Sequence, residues 1–393
     1  MSVTVTSTQS WGSRLGGSLK GIFVGIVLFV LGFPVLFWNE GNAVRTMKAL
    51  DEGEGACVAV ESVEKVDPSL EGKLVYANGK AVTDDVLKDD VFGVSAKALA
   101  LIRTVEMYQW QEESTSEEKK NLGGSTTTTT TYDYKKVWSP RLIDSKEFKE
   151  AGHNNPAAME FASRDVRAAN VRLGAYRLSE SQVVGLGGAQ AFAFPSDYTC
   201  RVARVQMNGG VIYVPNRETR DNEKNNRDAV AQPRIGDMRV TFKVVLPHEV
   251  SLVARQHGDS FVAYTAKNGK KVSLLRDGFS DAAEMFAAAR SSSSMLTWIL
   301  RVVGFFMMFI GLSMVLRPLS VLADILPFLG SLVGMGTGLL AFLVAFVCAF
   351  ATAAVAWIVY RPVVGVVLFV VAALAVFLVV SKRKKAAALD HRT

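Results

Sequence analysis

The stretch that decides the fold is LTWILRVVGFFMMFIGLSMVL, residues 296–316. Two further apolar runs follow it, MGTGLLAFLVAFVCAFATAAVAWIVY at 335–360 and VVGVVLFVVAALAVFLVV at 363–380. A bilayer core takes about 20 apolar residues per helix, and each run comes close to that length. One earlier run, LKGIFVGIVLFVLGFPVLFW at 19–38, matches them. Residues 39–293 have ordinary soluble composition. The expected fold class is therefore a membrane protein with four transmembrane α-helices and a large β-rich α+β extramembrane domain between helices 1 and 2. Its expected parts are a tail at 1–18, helix 1 at 19–38, the domain at 39–293 and helix 2 at 294–317. An interfacial connector at 318–334, helix 3 at 335–360, helix 4 at 363–380 and a basic tail at 381–393 complete the chain.

Prolines and charges place the boundaries. Arg317-Pro318 closes the second run and Arg361-Pro362 divides the last two. Proline removes a helix hydrogen bond, and a charge prefers the interface. Residues 319–334 carry Asp324, Pro327 and several glycines, and are expected at the interface or slightly re-entrant. Arg301 sits near one end of its run, from where its guanidinium can snorkel to headgroups. A cleaved signal peptide would have an apolar region of about 7–15 residues and a small-x-small site. The first run is longer and leads into Phe37-Trp38-Asn39-Glu40, so it reads as a retained anchor, flanked by Trp11 and Trp38.

Arg14 and Lys20 before the first run, and Lys382, Arg383, Lys384 and Lys385 after the last, put both tails in the cytoplasm by the positive-inside bias. Four crossings return the chain to its starting side, which agrees. The formal net charge is +7. With Arg301, Arg317 and Arg361 the tail cations form an expected membrane-interface set, whose partners are anionic lipid headgroups. No basic stripe interleaved with aromatics occurs elsewhere, so nucleic acid is not an expected partner.

In the domain, Asn78-Gly79 and Asn268-Gly269 lie within runs of alternating character and each predicts a hairpin. Strands are also expected at Ala100–Trp110, Tyr132–Trp138, Val211–Val214, Arg239–Val245 and Val250–Arg255. Helices fit Asn39–Leu50 and Asp281–Arg290, the latter behind a cap at Ser280. Both abut apolar runs, as collars coupling domain to membrane. Glu112–Gly124 reads as unstructured or mobile, and Glu218–Arg227 as a solvated loop. The polar Ser125–Thr131 tract reads either as disorder or as the arm of a long exposed hairpin, since threonine tolerates extension.

The chemistry-bearing residues are sparse. The cysteines are Cys57, Cys200 and Cys348, and no two form a CxxC pair. Cys57 and Cys200 share the domain, and sequence leaves open whether they bridge. No metal-ligand spacing occurs among His153, His248, His257 and His391. His257-Gly-Asp259 could be half of an acid–base pair, but a strand end followed by a turn explains it as well. Gly185-Leu-Gly187-Gly188 lacks the strand-then-helix setting of a dinucleotide loop. No catalytic, cofactor or metal site is expected. Gly304 and Gly311, with Gly330-x-x-x-Gly334-x-x-x-Gly338, satisfy the small-xxx-small rule for close helix approach. The pattern serves packing within one chain and packing between copies equally well.

Several ordered stretches carry a resemblance: Asn39-Glu40-Gly41-Asn-Ala-Val-Arg45, Val105-Glu106-Met107-Tyr108-Gln109-Trp110, Gly152-His153-Asn-Asn155-Pro156 and Gly236-Asp237-Met-Arg239-Val240. Then come Ala254-Arg255-Gln256-His-Gly258-Asp259, Ser294-Met295-Leu-Thr297-Trp298, Met308-Phe309-Ile-Gly311-Leu312 and Trp357-Ile-Val-Tyr360-Arg361-Pro362. As a set, spread over residues 15–380, they resemble the transmembrane protein 43 family, also called LUMA. The resemblance implies four spans, a lumen-facing domain, self-association through the membrane region and no catalytic residues. Animal members look like scaffolds of the endoplasmic reticulum and inner nuclear envelope, with lamins and emerin as partners. The Ala-, Gly- and Val-rich composition here looks bacterial, which would move the protein to an inner membrane with a periplasmic domain.

The expected function is a non-enzymatic integral membrane scaffold that self-associates and organises protein or lipid assemblies. Its expected partners are membrane lipids, further copies of itself and other membrane proteins. The alternative is an oligomeric ion channel or small transporter, with Arg301, Arg317 and Asp324 as the charges to suspect. A third reading is a tethered hydrolase using His257 and Asp259.

Overall fold

The computed structural model describes residues 2–217 and 229–361. The loop at Glu218–Arg227, the fourth apolar run at 363–380 and the basic tail with Lys382, Arg383, Lys384 and Lys385 lie outside the described residues. The chain forms two compact units. Of the described residues, one unit, rich in strands, holds 2–6, 51–117 and 128–288, and the other, mostly helical, holds 7–50, 118–127 and 289–361.

Four helices are needed below: α1 (Trp11–Ala56), α2 (Glu180–Gly185), α3 (Ala282–Ala323) and α4 (Pro327–Tyr360). Of these, α1, α3 and α4 are long and apolar enough to cross a membrane. The protein is accordingly a multi-pass integral membrane protein with one such helix near its N-terminus, two towards its C-terminus and a large β-rich unit.

Three boundaries differ from expectation. The collars at Asn39–Leu50 and Asp281–Arg290 are not separate helices: each is continuous with its apolar run. No proline follows Trp38, and the polar Asn39-Glu40 pair finds partners on other helices, so nothing ends α1 there. The cap of α3 is Asp281, whose carboxylate accepts the Glu284 amide at 2.7 Å. Ser280 instead donates to the Glu284 carboxylate at 2.8 Å. Finally, α3 runs through Arg317-Pro318 to Ala323. A proline within a helix removes one hydrogen bond and adds a local clash, and here the helix continues past it. The expected connector at 318–334 shrinks to residues 324–326. Pro327 then opens α4 at its first position, where its missing N–H costs nothing and its φ is already helical.

The strands used below are β1 (Ser2–Gln9), β2 (Leu74–Thr83), β3 (Ala100–Lys120), β4 (Thr126–Ser139), β5 (Val211–Val214), β6 (Met238–Val245), β7 (His248–His257) and β8 (Leu274–Asp277). One sheet runs β1-β4-β3-β6-β5 and ends on the strand at 206–208. Its centre is the antiparallel β3–β6 pair, in register from Met107–Met238 to Ala100–Val245. Buried Val105, Met107, Val240 and Phe242 alternate along it, as a sheet buried on one face requires. The Thr tract is a hairpin arm, and Glu112–Lys120, expected to be unstructured or mobile, is its other arm: β3 and β4 extend well beyond the expected strands because each pairs with the other. They are joined by a turn in which Gly123 and Gly124 take φ of 84° and 80°.

The second sheet closes on itself. β7 pairs with residues 260–262, these with 176–177, these with 171–173, these with β2, and β2 returns to β7. Leu252, Leu173, Tyr176 and Phe261 are fully buried within the strand-rich unit, with Tyr176 stacked on Phe261 at 4.9 Å.

Asn268-Gly269 makes its expected hairpin, with Gly269 at φ 80° between the paired residues 264–265 and 271–272. Asn78-Gly79 does not: it lies inside the uninterrupted β2. A Cβ on Gly79 would come within 3.1 Å of Val63 and 3.3 Å of Leu173, so this glycine serves close packing and not a turn. Asn78 donates to the Val250 carbonyl and the Ser251 hydroxyl of β7.

Candidate functional site

Among the described residues of the helical unit, two buried carboxylates each gather a cluster of partners. The first is built on Glu40, which is only 2% exposed. Arg301 grips its carboxylate with two donors, Nε at 2.5 Å and Nη2 at 2.9 Å, and the Trp357 indole donates to it at 2.8 Å. This two-point fork is the geometry in which a buried ion pair best offsets its desolvation. Around it, Asn39 donates to the Thr297 carbonyl at 3.0 Å. The Arg301 guanidinium also lies 4.6 Å above the Trp298 ring. Phe37 meets Tyr360 at 5.3 Å, and a Cβ on Gly41 would fall inside the Tyr360 ring. Residues of α1, α3 and α4 are thereby joined. Arg301 does not reach out alone as a snorkelling cation; its partner is Glu40.

The second cluster is built on Asp324, 1% exposed, in the turn between α3 and α4. It forms ion pairs with Arg14 and, at 2.7 Å, with Lys120. Burial works against charge on this carboxyl, but the bonds from Lys120 and Arg14 outweigh it and hold its pKa below the ordinary carboxylate range. Arg14 also donates to the Gly124 carbonyl at 2.5 Å, Trp11 to the Val321 carbonyl at 2.8 Å, and the Gly123 amide to the Ile325 carbonyl at 3.1 Å. The tip of the β3–β4 hairpin is thus docked onto the start of α1 and the α3–α4 turn. Along α1, Arg14 and Glu40 are about 39 Å apart at 1.5 Å per residue. That separation exceeds the thickness of a bilayer core, about 30 Å.

The expected packing glycines divide into two groups. A Cβ on Gly311 would lie 2.6 Å from the Gly25 carbonyl oxygen and the Phe29 amide, and one on Gly304 would enter Leu36. Gly25 and Gly32 are the matching gaps on α1, filled by Gly311, Met308 and the Gly304 carbonyl. Gly330 leaves room for the Asp324 carboxylate. Among the described residues, a Cβ on Gly334 would meet only Ser320 at 3.6 Å, and nothing lies within 4 Å of one on Gly338. Arg317 is exposed on α3, and Arg361 follows α4, its amide bonded to the Trp357 carbonyl.

Within the strand-rich unit, the quoted motifs also meet. Glu106 pairs with Arg239 at 2.6 Å. Asn155 accepts the Trp110 amide at 2.7 Å and donates back to the Trp110 carbonyl. His153 stacks on Tyr134 at 4.0 Å and meets the Trp110 ring edge-on at 4.5 Å. These contacts clamp the loop after β4 to the hairpin. His257 and Asp259 do not form a pair with each other. Asp259 is held by Arg177 at 2.9 and 3.0 Å, while His257 faces Glu71 at 3.3 Å. The Arg177 guanidinium keeps the Asp259 pKa low. Gly258, at φ 58°, makes the turn between them. Cys57, Cys200 and Cys348 are free thiols.

Sequence reasoning missed Glu40, Asn39, Trp357, Gly25 and Gly32 as partners. The signal for Glu40 was available: an acid at one edge of the first run and an arginine just inside the edge of another.

The family profile for transmembrane protein 43 matches residues 107–362. Transmembrane protein 43 of mouse is 33% identical over 373 residues, covering 92% of this chain and 90% of its own length. The human protein of that name is 33% identical over 92% of this chain and 89% of its own. The transmembrane protein 43 homolog of Drosophila melanogaster is 32% identical over 89% and 91%. No solved structure matches. With identity spread across both units, the chain belongs to the transmembrane protein 43 family.

Proposed function

We propose that this protein is a non-enzymatic membrane scaffold that self-associates in the bilayer and gathers protein or lipid assemblies around it. The observation that carries the reading is the α4 face at Gly334 and Gly338. Gly304, Gly311 and Gly330 are filled from within the chain, whereas Gly338 has no described neighbour within 4 Å. Met335, Leu339 and Phe342 flank it at 72%, 61% and 42% exposure. Small residues that let backbones approach are the main route to helix association where no hydrophobic force drives it. In this reading a second copy occupies that face, and the competing occupant is the run at 363–380 of the same chain, which would leave Gly338→Cys monomeric in the test below. In this reading the run at 363–380 is a fourth span, both tails share one side, and the strand-rich unit works on the other. That other side is the periplasm in a bacterium and the lumen of the endoplasmic reticulum or nuclear envelope in an animal.

The channel alternative loses two of its three charges to structural pairing, since Arg301 and Asp324 are each held by partners. The scaffold reading is tested by placing Gly338→Cys in a background free of other cysteines and oxidising native membranes. Disulfide-linked dimers are expected. If Gly338→Cys stays monomeric while a cysteine at exposed Leu343 cross-links, the glycine face is not the contact.

A further inference from the structure

His248 faces oxygen through both of its ring nitrogens. Nδ1 lies 2.8 Å from the Leu246 carbonyl, and Nε2 lies 2.8 Å from Oδ1 of Asp277. Each contact is a bond only with a hydrogen between the two atoms. The carbonyl has none to give, so Nδ1 must donate. The second hydrogen sits on Nε2 or on the carboxyl. A neutral imidazole beside an ionised carboxylate supplies one hydrogen for the two contacts, so the site is built to hold one proton more. Oδ1 of Asp277 also accepts the Gly187 amide at 3.1 Å. Accepting twice suits an ionised carboxylate and leaves the extra proton on the ring. Among the described residues no other histidine is held this way. His153 and His257 each face a carboxylate, Glu150 at 3.9 Å and Glu71 at 3.3 Å, without a second acceptor on the ring.

These contacts tie three pieces of the strand-rich unit together. His248 opens β7, Asp277 ends β8, and Gly187 lies in the turn after α2. Gly187 fits because it has no side chain: a Cβ there would collide with the Asp277 carboxylate. The other charged groups nearby are engaged elsewhere. On β8, Arg276 donates to Ser280 at 3.1 Å, and Arg167 donates to the Leu186 carbonyl at 3.2 Å just before the turn. On β2, His248 lies opposite Ala81, while its neighbour Glu249 lies opposite Lys80. The side chains of His248 and Asp277 are 26% and 42% exposed, so a proton passes between this site and solvent.

We propose that His248, Asp277 and the Gly187 amide form a proton-controlled latch within the strand-rich unit. With its second proton the site is closed. When that proton leaves to solvent, one of the two oxygen contacts opens and Asp277 loses the cation it faces. The tie from β7 and β8 to the turn at Gly187 then loosens. Imidazole exchanges its proton between about pH 5 and 8. The latch is therefore shut at the acid end of that range and slackens as pH rises. It lies within one chain, so it stands apart from self-association.

The test uses the full chain in lipid nanodiscs from about pH 5 to about pH 9, a range that spans imidazole titration. Ring nitrogen signals of histidine-labelled protein count the protons on His248, assigned by the signal that His248→Gln lacks. Hydrogen exchange at residues 185–189 reads the latch. His248→Gln is the reference at each pH, because its amide donates to Asp277 and does not titrate. The wild-type ring is expected to carry two protons at the acid end and one at the alkaline end. Protection at 185–189, relative to His248→Gln, is expected to fall about threefold across the range, the size of one part-exposed ion pair. Gly187→Ala, whose methyl displaces the carboxylate, is expected to show the released exchange even at the acid end. A ring that keeps the same number of protons throughout overturns the proposal. So does a ring that titrates while protection holds a constant ratio to His248→Gln, or a Gly187→Ala variant protected like wild type.

Discussion

Glu40 and Arg301 are 261 residues apart in the chain and meet as a two-point ion pair, with Trp357 donating to the same carboxylate. Nearly all of Glu40 is buried, so this pair fixes the packing of three apolar helices with hydrogen-bond directionality that van der Waals contact lacks.

Breaking one side of this pair is predicted to cost more than removing both. Arg301→Met or Glu40→Leu alone leaves an uncompensated buried partner, a loss of about 3–5 kcal/mol. The double variant Glu40→Leu/Arg301→Met should recover most of that. Thermal unfolding in lipid nanodiscs reads the order: both singles melt well below the double.

Asp324→Asn should release the hairpin tip without unfolding the strand-rich unit. Trypsin cleavage at Lys119 and Lys120 is expected to quicken by about tenfold for each 1.4 kcal/mol lost. The wild-type clamp should tolerate mild acid. Because its pKa is depressed on folding, Asp324 contributes stability above the unfolded value of about 3.9. That contribution is lost only as pH falls through the lower folded value. Protection from trypsin after brief acid exposure checks the sign.

Gly311→Ala and Gly338→Ala should differ sharply although both lie in apolar helices. The added methyl at 311 meets backbone of α1 at 2.6 Å, which cannot move aside without shifting a helix. A cost of about 1–3 kcal/mol is expected from such overpacking. At 338 the methyl meets none of the described residues, and folding should be unchanged. Melting temperatures of the two variants decide it.

Cys57 should alkylate slowly at neutral pH. Burial pushes its thiol up to about 11, and only the thiolate is nucleophilic. In a Cys200→Ser/Cys348→Ser background, its iodoacetamide rate should keep rising from pH 8 to pH 10. A plateau below pH 9 would contradict the burial seen here.

The membrane helices were legible because their signal is local: an unbroken apolar run needs no partner to be recognised. Strands such as Val211–Val214 were legible for the same reason, through alternation. Asn268-Gly269 and Asn78-Gly79 show the limit, since the dipeptide is the same and only the neighbours Val63 and Leu173 make the second one a strand. Pro318 looked like a stop, yet the helix continues to Ala323. The charge clusters were legible only in part: an acid and an arginine at the edges of two apolar runs hint at Glu40 with Arg301, and no such signal points to Asp324 with Arg14 and Lys120. Glu40 with Arg301, and Asp324 with Arg14 and Lys120, are brought together by folding across hundreds of residues. Sequence spacing alone does not pair them.

The central claim, self-association in the bilayer, is tested most directly by the mass of the full chain in native-lipid nanodiscs. A discrete multiple of the 42.6 kDa chain is predicted, and Gly338→Leu should shift it towards the single-chain mass. A 42.6 kDa species at every protein density in the membrane would contradict the account.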